Sequence, residues 1–284
     1  RNAGFTTAIV FPTQGIFAGQ GSAIDLAGTK VGGMILLASA GQYISMASSG
    51  PGFPNSLMGA IAYIRQLYLD AAHYRLIKAA YDAHPRGMKR PDYDRALEGV
   101  IESKRILLPA DSRVEIDRML HLARDLGQSA ILYGVQEGYR AADLLSKSGV
   151  PVLVDLDWPE KPAEADPDDV ELLRTLELRE KAPSTPLALM RAGVKFAFYS
   201  DGLEPHEIGG AIQKTIQAGL PREAAIHALT LSPAEIYGIA DRVGSIETGK
   251  IANLLVTHGD LFEDGTRIET IFVDGVQYTP ERGK

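Results

Sequence analysis

Cysteine is absent from the 284 residues, which excludes disulfides, thiolate nucleophiles and Cys-ligated zinc but assigns no compartment, so localisation stays open. Histidine occurs six times and tryptophan once, leaving few imidazoles for a metal centre. No apolar run approaches the roughly 20 residues that a membrane-spanning helix needs. Basic residues are in deficit, 29 Lys and Arg against 36 Asp and Glu for a net charge of −7. No basic stripe is visible, which argues against nucleic acid or an anionic membrane as partner and leaves the charge of a small-molecule substrate open. An initiator methionine is also missing: the chain opens at Arg1-Asn-Ala-Gly4 and enters a strand-like run at once. That reads as a truncated chain, with any signal peptide lying upstream of it.

What is present describes an ordinary globular protein, 45% apolar and 23% charged, long enough for one large α/β domain and an appendage. Phe5-Thr-Thr-Ala-Ile-Val-Phe11 is apolar without alternation, which predicts a strand buried on both faces of a parallel sheet. Residues 14 to 33 are rich in glycine and read as a long βα loop before a second strand, Met34-Ile-Leu-Leu-Ala38. From Asn55 to Tyr81 apolar residues recur every three to four positions, predicting a long amphipathic helix that Asp82-Ala-His-Pro85 stops. Four helix-to-strand units follow, with strands at Arg105-Ile-Leu-Leu108, Ser129-Ala-Ile-Leu-Tyr133, Pro151-Val-Leu-Val154 and Lys195-Phe-Ala-Phe-Tyr199. Such a series indicates a βα barrel or a doubly wound sheet, and periodicity does not separate the two. An acidic, proline-bearing stretch, Glu160 to Asp169, reads as a solvated excursion. From Asn253 onward short β runs joined at Asp264-Gly265 and Asp274-Gly275 predict an antiparallel module with hairpin turns. The domains expected are 1–240 and 241–284.

Three segments in the last third, Phe198-Tyr-Ser-Asp-Gly202, Ala228-Leu-Thr-Leu-Ser-Pro-Ala-Glu-Ile-Tyr-Gly-Ile239 and Gly244-Ser-Ile-Glu-Thr-Gly-Lys-Ile-Ala-Asn253, resemble the end of a metal-dependent amidohydrolase. Gly4-Phe-Thr-Thr-Ala-Ile-Val-Phe-Pro12 and Gly19 to Gly28 are similar to the second barrel strand and following loop of imidazolonepropionase-like members. The resemblance implies a TIM-type (β/α)8 barrel lacking its first strand, plus the C-terminal part of a small β-sandwich. It implies an active face at the C-terminal strand ends, and hydrolysis of non-peptide carbon–nitrogen bonds by metal-activated water. A barrel short of a strand exposes two edges. The chain is therefore expected to pair with a missing N-terminal segment or to form a homo-oligomer.

The same resemblance makes Asp201 the metal ligand and catalytic base. The family's pattern also asks for His-x-His after strand one, a lysine or glutamate on a middle strand, and a histidine after each of strands five and six. The first pair would precede Arg1, and no lysine or glutamate occupies Val31 to Ala47. Pro109-Ala110-Asp111 stands where His-Ala-Asp is expected, and Tyr133-Gly134 where His-Gly is expected. Proline has no donor atom, and a tyrosine with an ordinary pKa near 10 is a poor substitute for imidazole. A divalent zinc or manganese is expected only if the missing segment supplies ligands. Pocket candidates are Tyr133, His206, Asp111, Gln14 and Gly15. The loop from Gly15 to Gly21 is read either as backbone N–H donors to a substrate or as a flexible loop, and His206 either as a pocket group or as a polar cap beside Glu204 and Glu207. Three readings stay open: a hydrolase with a reduced metal site, a degenerate inactive scaffold that binds or assembles, and a metal-free acid/base enzyme using Asp111, Asp155, Asp157 and Asp201.

Overall fold

The structure, a computed structural model, describes residues 4–28, 31–46, 52–161, 164, 170–263 and 266–280. A seven-stranded sheet runs in the spatial order of the sequence: β1 (Thr7–Val10), β2 (Phe17–Asp25), β3 (Ile35–Ile44), β4 (Ile106–Pro109), β5 (Ala130–Val135), β6 (Val152–Asp155) and β7 (Phe196–Tyr199). The first three pair antiparallel, and β3 to β7 pair parallel. The sheet curls as a TIM-type barrel short of a strand, with β1 and β7 as its edges.

The helices are α1 (Leu57–Ala83), α2 (Arg95–Glu102), α3 (Arg113–Asp125), α4 (Gly138–Ser148), α5 (Leu173–Lys181), α6 (Thr185–Arg191), α7 (Ile208–Gln217), α8 (Arg222–Leu229) and α9 (Leu231–Tyr237). The four helix-to-strand units read from the sequence are α2–β4, α3–β5, α4–β6 and α6–β7. Local chemistry sets their ends. Ser112 and Glu115 close a reciprocal capping box at the start of α3, and Gly149, at φ +67°, turns the chain out of α4 in the left-handed conformation that glycine adopts without strain.

Period-two alternation explains the core. Ile106, Leu108, Leu132, Val152, Val154 and Phe196 face outward onto the helices. Their neighbours Leu107, Ile131, Tyr133, Leu153 and Ala197 face inward, with Tyr43 and Tyr237. Strands covered on both faces need near-continuous apolar runs, which these segments have. At the N-terminal strand ends α9 closes the barrel: Ser232 Oγ donates to the Phe196 carbonyl, Lys195 pairs with Glu235 at 2.8 Å, and Arg105 donates to the Ile236 carbonyl. The opposite, C-terminal ends are left as an open mouth.

A separate three-stranded sheet, β8 (Leu254–His258), β9 (Arg267–Val273) and β10 (Val276–Tyr278), follows. Its hairpin turn is Asp274-Gly275, as expected, with φ of 49° and 75°; the other expected turn, Asp264-Gly265, lies outside the described residues. The Gly244–Asn253 motif proves to be a joint. Lys250 bonds Ser245 and Glu247, and Asn253 Nδ2 donates to the Asp25 carboxylate at 2.7 Å and to Thr7 Oγ1 at 2.9 Å.

Three sequence expectations are corrected. Residues 5 to 11 contain an antiparallel edge strand, mostly half-buried, and not a doubly buried parallel one. The glycine-rich stretch is largely β2, so its Gly19 and Gly21 sit in the ladder opposite Tyr43 and Gly41 and do not form a loop of free N–H donors. The glycines mark close approach: a Cβ at Gly21 would lie 2.1 Å from the Phe11 ring. The long helix α1 forms, but it buries only Ala60, Ile64 and Ala71; Leu57 and Leu76 of its apolar pattern are exposed, as is Leu69.

Candidate active site

The C-terminal ends of β3 to β7 enclose a cavity of about 570 Å³. Its lining includes Ser45 and Met46 after β3, Pro109 to Asp111 at β4, Tyr133, Gly134 and Gln136 at β5, Asp155 and Asp157 at β6, and Asp201 after β7. Gly134 makes this possible locally. It holds φ +77° at a bulge in the β5–β6 pairing, which turns the end of β5 without strain. Asp201 itself adopts φ +34°, a conformation that aspartate tolerates better than most residues.

Tyr133 lines the base of the cavity and rests on two further tyrosines, which together make its floor layer. Tyr133, buried, stacks on Tyr43 with ring centroids 4.6 Å apart and meets Tyr199 edge-on at 5.7 Å. The Tyr133 hydroxyl donates to the Ile44 carbonyl at 3.0 Å, and the Tyr199 hydroxyl donates to Asp201 Oδ1 at 3.1 Å. The Tyr43 hydroxyl neighbours both phenols and adds to the shift of each. Burial, reinforced by neighbouring hydroxyls and the Asp201 charge, holds the Tyr133 and Tyr199 phenols well above their ordinary pKa, so both stay protonated.

Above the floor the polar groups are carboxylates. Asp155 is 6% exposed. It accepts the Asp157 N–H at 2.9 Å and the Gln136 side-chain amide at 3.4 Å. Burial pushes its pKa up to about 7, helped by repulsion from Asp201 and Asp157 and opposed by those two hydrogen bonds. Asp111, at the rim, is pushed up to about 6 by partial burial and then by Glu115 and Glu137, with Arg174 opposing. Gln136 ties the mouth together: its side chain also donates to the Asp157 carbonyl at 2.7 Å, its N–H reaches the Asp111 carbonyl at 3.3 Å, and its carbonyl accepts from Thr185 at 2.5 Å.

A raised carboxyl pKa makes the folded state bind a proton that the unfolded state has released. Stability contributed by Asp155 is therefore present at low pH and is lost as pH rises from about 4 to about 7. Urea denaturation at pH 4.5 and 7.5 should show that Asp155→Asn flattens this dependence.

Of the expected site residues, the structure gathers Asp201, Tyr133, Pro109 and Asp111 around one cavity. Gln14 and Gly15 lie between β1 and β2, and His206 is exposed ahead of α7; none of the three lines it. Sequence reading missed Tyr43 and Tyr199, whose signal was strand alternation, and Gln136, whose type and spacing carry no signal. A metal does not fit the donors present. Among the described residues no three His, Cys, Asp or Glu side chains stand together as a ligand set. At the ends of β4 and β5 are a proline without a donor atom and a tyrosine whose hydroxyl is spent on a backbone carbonyl.

Among solved structures, the chain is similar to an amidohydrolase from Thermotoga maritima MSB8, with 24% identity and a TM-score of 0.80 over 97% of this chain and 72% of that one. A Xaa-Pro dipeptidase with bound methionine matches at 16% identity over 84% of each chain with a TM-score of 0.47. An adenosine deaminase from Xanthomonas campestris with bound zinc matches at 17% over 62% and 51% with a TM-score of 0.35. At those scores neither of the last two carries an argument. No curated protein matches the sequence. The pattern of the Amidohydrolase family matches residues 78–279, from α1 to the end of the small sheet. This chain belongs to the amidohydrolase family, whose members are in general metal-dependent hydrolases.

Proposed function

We propose that the barrel mouth takes up a small molecule bearing a non-peptide carbon–nitrogen bond, and that this chain, with the residues it has, binds that molecule without metal-activated hydrolysis. It is then the degenerate form of an amidohydrolase, kept as a binding or assembly partner. One observation carries the reading: at the two strand ends where the resemblance asks for imidazoles stand Pro109 and a Tyr133 already committed to the Ile44 carbonyl. The cavity and its ordered polar rim remain, so a ligand can be bound and oriented. With Asp111, Glu115, Asp155, Asp157 and Asp201 and no basic side chain among the described residues of its lining, the mouth favours neutral or amine-bearing ligands over anions.

The hydrolytic reading, acting on the same bond, has one observation in its favour. Asp155 exchanges its proton near neutrality and Asp201 presents an exposed carboxylate on the same cavity, a donor and an acceptor for general acid–base work. Metal content by elemental analysis, with turnover of an amide and lactam panel with and without chelator, separates the two. The binding reading expects substoichiometric metal, no turnover, and saturable binding of an amine-bearing fragment that Asp201→Asn weakens. About one equivalent of zinc or manganese, with chelator-sensitive turnover that Asp201→Asn abolishes, would replace it with the hydrolytic reading. The edges β1 and β7 support a second copy or an N-terminal segment as pairing partner; light scattering of the purified chain reads the mass directly.

A further inference from the structure

We propose that the packed rings of Tyr43, Tyr133 and Tyr199, with the Tyr133 hydroxyl committed to the Ile44 carbonyl and the Tyr199 hydroxyl to Asp201, fill the volume where this family assembles its metal, so that a tyrosine floor stands in place of a metal centre. This rests on the reading above only for the identity of the strand ends; the geometry is independent of what the mouth binds.

The three side chains come from alternate strands, β3, β5 and β7, all on the inward-facing register. Their rings pack as one group, Tyr43 on Tyr133 at 4.6 Å and Tyr133 against Tyr199 at 5.7 Å. Two of their hydroxyls have fixed partners: Tyr133 donates to the Ile44 carbonyl at 3.0 Å and Tyr199 to Asp201 Oδ1 at 3.1 Å. Between β3 and β5, at the same level, β4 offers Pro109, which has no polar side-chain atom and is registered beside Tyr133. Asp201, which stands at a family ligand position, is thus engaged by a hydroxyl donor. A cation entering here would have to displace packed rings and break the two hydroxyl bonds, whereas an imidazole offers a free lone pair.

The test is equilibrium dialysis of zinc chloride against the native chain, the Pro109→His/Tyr133→His double variant, Tyr133→Phe and Asp201→Asn, each checked for folding by circular dichroism. The native chain and Tyr133→Phe should retain no zinc at micromolar free metal. The double variant, with two imidazoles facing Asp201, should hold about one equivalent, since three protein ligands suffice for zinc. Adding Asp201→Asn to it should release the metal. A native chain that binds one equivalent and loses it in Tyr133→Phe or Asp201→Asn overturns the proposal, as does a folded double variant that binds none. If the double variant does not fold, near-ultraviolet tyrosine absorbance decides: zinc should leave the native spectrum unchanged, and a perturbation absent from Tyr133→Phe overturns the proposal. Fragment binding at the mouth is a separate readout, so failure of the binding reading leaves the zinc result standing, and the reverse holds.

Discussion

Tyr133→Ala should lower the unfolding free energy by about 3–5 kcal/mol, the range for truncating a large buried aromatic side chain. Tyr133 is buried at the centre of the inward-facing cluster, in ring contact with both Tyr43 and Tyr199. Truncation leaves a void bounded by strands on several sides, where inward collapse is resisted by hydrogen-bonded backbone. It also leaves the Ile44 carbonyl without its side-chain donor. Tyr133→Phe keeps the ring and removes the hydroxyl alone, so its cost should be roughly 1 kcal/mol. Urea denaturation monitored by far-ultraviolet circular dichroism measures both. If the two variants cost the same, the ring packing contributes little and the description of the floor as a packed cluster is wrong.

Asn253→Leu should cost about 3 kcal/mol, by a different route. Asp25 is buried, and the donors described around its carboxylate are Thr7 Oγ1 at 3.0 Å and Asn253 Nδ2 at 2.7 Å. Hydrogen bonds to a charged group contribute about 1.5–3 kcal/mol each, and a buried carboxylate left short of a donor costs more than the bond itself. The same asparagine accepts the Asp274 N–H at 2.8 Å, which fixes the β9–β10 turn. The variant should therefore also loosen the small sheet, seen as faster amide exchange in β9 and β10 than in β4 to β6. An Asp25→Asn/Asn253→Leu pair should recover part of the loss, because a neutral amide costs less to bury than a carboxylate. No recovery would mean that the charge on Asp25 is not what Asn253 stabilises.

The parallel half of the fold was legible because its strands are short apolar runs, each placed after a helical segment. Strand alternation then follows without further information: once Ile131 faces in, Leu132 faces out and Tyr133 faces in. The antiparallel first three strands were not legible. Glycine at 15, 19 and 21 carries a loop signal locally, and only the placement of Phe11 across Gly21 shows that β2 needs a residue without a side chain. The long helix was legible as a helix but not in its exposure, since an apolar period shows which face is apolar and not whether anything covers it.

At the site the division is similar. Asp201, Pro109 and Tyr133 could be placed at strand ends from the sequence, and with them the conclusion that imidazole is missing there. The sequence by itself determined the donor types available, and donor chemistry depends on residue identity alone. Only the tertiary structure decided that Tyr43 and Tyr199, distant in sequence, pack on Tyr133 in one ring cluster, and that Gln136 holds three strand ends together. The burial that pushes Asp155 up to about 7 belongs to the structure too, because desolvation depends on what surrounds a carboxylate in space and not on its neighbours along the chain.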